Sequence, residues 1–138
     1  MTTGFHFEVS LRITHPTIDP TEVTRELSIE PSCRYKVGDR RATPKGNPLP
    51  GFNERSGWFY RLPQDADASL PVVLRGMNLQ LFKSRSYLES LQSTGGTIEY
   101  FIGWFSEFNS GEVFDWQLLK ECAALRINLA FDIYGEQA

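Results

Sequence analysis

A chain of 138 residues with 41% apolar and 13% aromatic residues has the size and composition of one folded domain spanning 1–138, not of a disordered or low-complexity chain. Its formal charge of -3 excludes nucleic-acid binding by the surface as a whole, and no apolar run approaches the ~20 residues needed to cross a bilayer. Cys33 and Cys122 stand far apart without a partner motif, and the opening MTTGFHFEVS has neither a basic nor an apolar leader, so reduced thiols and a cytoplasmic protein are expected.

In chain order, the first element is a strand over 5–14, where Phe5, Phe7, Val9, Leu11 and Ile13 alternate with His6, Glu8, Ser10, Arg12 and Thr14. A short helix over 20–28 follows, with Asp19 as N-cap, Pro20 at its first position, Glu22 closing a capping box and Pro31 beyond its end. Between Pro31 and Gly57 four prolines and four glycines interrupt any long element, so this span reads as a loop. A short strand in SGWFYRLP, 56–63, then places Trp58, Tyr60 and Leu62 on one side and Phe59 and Arg61 on the other.

Ser69 caps a helix in which Leu70, Val73, Leu74, Met77 and Leu81 recur at helical spacing. Ser86 and Glu89 suggest a second capping box, opening a brief helix that Gly95 and Gly96 stop. The stretch TIEYFIGWF at 97–105 is apolar on both faces, as a central strand requires. Asp115 caps a last helix with Leu118, Leu119, Cys122 and Leu125 inward, and a closing strand alternates Leu129, Phe131 and Ile133 with Asn128, Ala130 and Asp132. The expected fold is α+β: a single two-layer sandwich with an about four-stranded, mainly antiparallel sheet and helices on one face, ferredoxin-like in spirit.

With these elements placed, the chain resembles the bacterial family catalogued as domain of unknown function 4279 (DUF4279). The matching stretches are SLRI at 10–13, DPTEVTRELSIEP at 19–31, KVGD at 36–39, GWF at 57–59, FIGWFS at 101–106 and FDIYG at 131–135. One departure is Ser28, where family members often carry glycine after the helix leucine, which bears on the shape of that helix end. The resemblance implies a small bacterial protein without an established activity, and it brings no catalytic residues and no cofactor. An immunity-type or regulatory role is an analogy of kind with other small orphan families.

Chemistry-bearing clusters are few. His6, His15, Cys33 and Cys122 lack the spacing of a metal site, with His6 read as solvated and His15 as a turn residue. No nucleophile elbow is present, so no catalytic residue is assigned; Cys33, beside Arg34 and Lys36, is read as a loop cysteine and Cys122 as packing. Glu8, Arg12, Arg61, Glu99 and Asp132 share the outer sheet face, where cross-strand ion pairing is the expectation.

The charge distribution is uneven. Arg34, Lys36, Arg40, Arg41, Lys45, Arg55 and Arg61 face only Asp39 and Glu54 within 34–61, a net +5 that leaves -8 for the remainder of a chain at -3. The glycines and prolines here do not lead a lysine into a helix, so this is no phosphate-binding P-loop. Two readings follow. The favoured one is a non-enzymatic protein-interaction module whose basic loop faces a macromolecular partner and whose acidic remainder suits a basic protein surface. The other is a binder of a small anion, nucleotide or single-stranded nucleic acid through Arg40, Arg41, Lys45 and Trp58, in a basic loop interleaved and flanked with Tyr35, Phe52, Phe59 and Tyr60. Neither reading calls for a metal or cofactor.

Overall fold

Alternation of apolar and polar residues buries one face of β1 (His6–His15), with Phe7, Val9, Leu11 and Ile13 in the core. The computed structural model describes residues 4–135, so positions 1–3 of the opening stretch lie outside it. Asp19 caps α1 (Pro20–Leu27) by accepting from the Thr21 N–H at 3.0 Å. The expected capping box does not close: the Glu22 carboxylate accepts from the Tyr87 hydroxyl, 3.0 Å away. At the other end Ser28 takes the left-handed conformation, φ 56°, and donates its N–H to the Thr24 carbonyl.

The span expected to be a loop contains β2 (Cys33–Tyr35), β3 (Arg40–Ala42) and β4 (Pro48–Phe52) ahead of β5 (Ser56–Arg61). β2 pairs antiparallel with β5, while β3 and β4 form a separate two-stranded arm. Pro48 and Pro50 are tolerated because that arm has no further strand to receive an N–H from them. Each piece is only three to five residues long, too short to display a period in the sequence.

Ser69 caps α2 (Leu70–Phe82) as expected. The next helix, α3 (Arg85–Ser93), starts earlier than the Ser86 box implies, with Ser84 at the cap position and no side-chain cap bond. β6 (Thr97–Phe105) lies between β1 and β7 (Ile127–Tyr134), and α4 (Trp116–Ala124) crosses between β6 and β7. Asp115 caps α4, accepting from the Leu118 N–H at 2.9 Å. Leu118, Cys122 and Leu125 face inward, but Leu119 is 46% exposed and does not belong to the inner stripe.

The main sheet is therefore five-stranded, in the order β2-β5-β1-β6-β7, and mixed because β7 runs parallel to β6. The α+β architecture stands, but the ferredoxin-like plan of split βαβ units does not. β1 and β5, joined through α1, are adjacent and antiparallel. All four helices contribute to the same apolar cluster as Val9, Leu11 and Ile13 of β1, Trp58 of β5, Ile98, Tyr100 and Ile102 of β6, and Ile127 of β7. A polar network reaches into it. The Tyr100 hydroxyl donates to Asn78 at 2.6 Å, whose amide donates to Glu121 at 3.2 Å, and Arg75 reaches the same carboxylate at 2.9 Å. This network stitches α2 to α4. Burial first, and then the nearby Cys122 and Glu121, push the Tyr100 hydroxyl pKa up.

Candidate functional site

The opposite sheet face carries His6, Glu8, Ser10, Arg12 and Thr14 of β1, and no helix of the described residues packs over it. At its β2 edge the β3–β4 arm stands clear of the main sheet and is anchored at its base. Asn53 donates its side-chain amide to the Lys36 carbonyl at 2.9 Å and exchanges backbone bonds with Gly38 and Asp39. Buried Ser56 accepts from the Val37 N–H at 3.0 Å and donates to the Ile18 carbonyl at 2.6 Å, tying the start of the arm to the β1–α1 connection. At the tip, Thr43 accepts from the Asn47 N–H at 3.0 Å, and Gly46 turns the chain at φ 90°.

Between this arm and the sheet edge lies a cleft of about 760 Å³ that includes Arg12, Cys33, Tyr35, Lys36, Arg40 and Phe59 in its lining. Gly57 shapes its wall. A Cβ there would lie 2.3 Å from the Tyr35 ring, which rests across the bare glycine and meets Phe59 edge-on at 5.7 Å. A second cleft of about 690 Å³, on the β4 side of the arm, is lined by Arg41, Arg55 and residues 49–54.

The structure distributes the eight residues singled out for binding over different environments. Arg34 and Lys36 border the first cleft, and Lys36 lies 4.0 Å from Asp19 on the exposed rim. The Asp19 carboxyl is held below its ordinary pKa first by its hydrogen bonds with Thr21, and also by these two cations. Arg40 lines the cleft and Lys45 sits near the tip of the arm; among the described residues neither makes an ion pair. Arg41 donates to the Pro50 carbonyl at 3.3 Å, and Arg55 to the Gly95 carbonyl at 3.1 Å. Arg61 is paired with Glu8 on the outer face and lies in a different depression.

Trp58 does not belong to this surface. It is 1% exposed, and its indole N–H donates to Thr24 at 3.0 Å, because alternation along β5 aims it into the core. The aromatic groups that do face the cleft are Phe59 and Tyr35.

Of the expected cross-strand ion pairs on the outer face, Glu8–Arg61 forms. Arg12 and Glu99 are partners in register yet make no ion pair; the Arg12 guanidinium instead lies 3.7 Å from the centre of the Phe101 ring. Glu8 and Asp132 cannot share a proton, since Gly103 stands between them across the sheet, a separation of roughly 10 Å at two strand spacings. His15 is not a turn residue. It ends β1, 5% exposed, with Nδ1 accepting from the Thr17 and Ile18 N–H groups at 3.0 Å and Nε2 meeting the Thr94 hydroxyl at 2.7 Å.

A further surface lies at the β7 end of the sheet, where Phe108, Phe131, Ile133 and Tyr134 are exposed around a depression of about 520 Å³. Among the described residues no group of three His, Cys, Asp or Glu side chains is placed to hold a metal ion, and no helix is long and apolar enough to cross a membrane. Neither a curated protein nor a solved structure matches the chain. The family model described as a domain of unknown function, DUF4279, matches residues 4–136, and the chain belongs to that family.

Proposed function

We propose that the chain is a non-enzymatic protein-interaction module, regulatory or protective in role, which presents its basic β2–β4 region to an acidic surface of a partner protein. The observation that carries this reading is the arm itself: Arg40 and Lys45 project from a two-stranded extension outside the main sheet, with no carboxylate of the described residues paired to them. Cations left without internal partners are available for complementary charge across an interface, where they set encounter rate and specificity. The acidic remainder of the molecule repels the same partner elsewhere and so orients its approach. We read the module as a bacterial cytoplasmic protein, with Cys33 and Cys122 as free thiols.

Burial of Trp58 weighs against the nucleic-acid alternative, because it removes the largest stacking surface from the basic region. The test is affinity capture by the tagged full chain from lysate of its source cells, with and without nuclease. The expected result is a protein retained in stoichiometric amount after nuclease, and lost when Arg40, Arg41 and Lys45 are all replaced by Gln. Recovery of RNA or DNA that disappears with nuclease and rising salt contradicts this reading in favour of the alternative.

A further inference from the structure

Among the basic residues described, Arg12 has an unusual setting. It sits in the middle of β1 with its guanidinium carbon 3.7 Å from the centre of the Phe101 ring and 4.9 Å from that of Phe59, rings carried by the strands on either side. A guanidinium packed against aromatic faces keeps its in-plane N–H edge for hydrogen bonding, and that edge matches a coplanar carboxylate or phosphate. Its Nε is buried and has no acceptor among the described residues. The terminal guanidinium nitrogens are not buried in this way, and they carry the donors open to an oxyanion.

The surroundings are built for the same charge. Arg12 lines the 760 Å³ cleft beneath the β3–β4 arm, a size common for small-ligand sites. Around that cleft Arg12, Arg34, Lys36 and Arg40 outnumber Glu30 and Asp39. Phe59 and Tyr35 supply an apolar wall that keeps water from one side and strengthens the electrostatic attraction within.

We propose that this cleft is an oxyanion site with Arg12 as its floor. A carboxylate or phosphate lies in the plane of the Arg12 guanidinium, accepts from its terminal N–H groups, and is neutralised from the rim by Arg40 and Lys36. The oxyanion comes either from an acidic side chain of the bound protein or from a free small anion. The site rests on the reading of the basic region as a binding surface and names the point where that surface grips.

The test is a nuclear magnetic resonance titration of the isotopically labelled full chain, following the Arg12 Nε–H signal, with inorganic phosphate in one arm and a blocked tetraglutamate peptide in the other. A saturable shift is expected. Saturation by the peptide alone identifies a protein side chain as the source, and saturation by phosphate identifies a free anion. Arg12→Lys keeps the charge but loses the planar edge, and is expected to weaken the binding at least about tenfold. Arg40→Gln, on the exposed rim, gives a second variant that leaves the sheet intact and is expected to weaken it about threefold.

Absence of a saturable Arg12 shift with both probes, or unchanged affinity in Arg12→Lys, overturns the site. The two proposals fail separately. A partner captured through Arg40, Arg41 and Lys45 but indifferent to Arg12→Lys removes the oxyanion site and leaves the interaction reading. Titration at Arg12 by phosphate in a chain that captures no protein does the reverse.

Discussion

Ser28 ends α1 at φ 56°, a region that disfavours any side chain bearing a Cβ. Its own side chain is exposed, so nothing compensates for that strain. Replacing it with glycine, Ser28→Gly, is expected to raise stability by about 1 kcal/mol, read as a higher urea midpoint with an unchanged slope.

His15 makes the opposite kind of demand. Burial, and then the nearby Arg55 cation, lower its pKa below 6.5, and protonating Nδ1 would set a proton against the Thr17 and Ile18 N–H donors. The unfolded chain takes up that proton near the ordinary value while the folded one resists it. Stability from this residue is therefore full above about pH 6.5 and lost as pH falls through the lower folded value. Between about pH 7.5 and about pH 5.5 the wild-type urea midpoint is expected to fall further than that of His15→Gln. Equal falls in both proteins contradict the assignment.

At the scale of elements, hydrophobic period and capping residues made β1, β5 and the helices legible in the sequence, and an apolar run marked β6, since each packs on one core. The β3–β4 arm was not legible. Its strands are short and proline-rich, and it is anchored by Asn53 and Ser56 through contacts to residues 17 to 38 positions away in the chain, which no local pattern displays. The direction of β7 was hidden for a related reason: alternation marks a strand but not whether its neighbour is parallel. A capping contact differed where a tertiary partner outbid a local one, as Tyr87 does for Glu22 while α1 still starts at Pro20. Ser56 offers a direct test of the anchoring. Ser56→Ala leaves the Val37 N–H and the Ile18 carbonyl without it, and is expected to lower stability by about 1–3 kcal/mol. Hydrogen exchange at the Val37 amide is expected to accelerate more than exchange in β6, as loosening of the arm requires.

Across the whole molecule, charge was the part of the candidate site that composition disclosed, and geometry was the part that it did not. Seven basic residues clustered in 34–61 marked the region, yet the fold sends Trp58 to the core, pairs Arg61 with Glu8, and brings in Arg12 from a strand more than twenty residues earlier. Position in the sheet separates these outcomes, because β5 and β1 each have one face in the core and one beside the arm. The molecule thus offers two unlike surfaces: a basic one at the β2 edge and an apolar one at the β7 edge. Hydrogen–deuterium exchange of the full chain, alone and with its captured protein partner, distinguishes them most directly. Protection is expected over β2, β3 and β4, with β7 unchanged; protection confined to β7 and residues 106–114 would contradict the basic edge as the partner-binding surface.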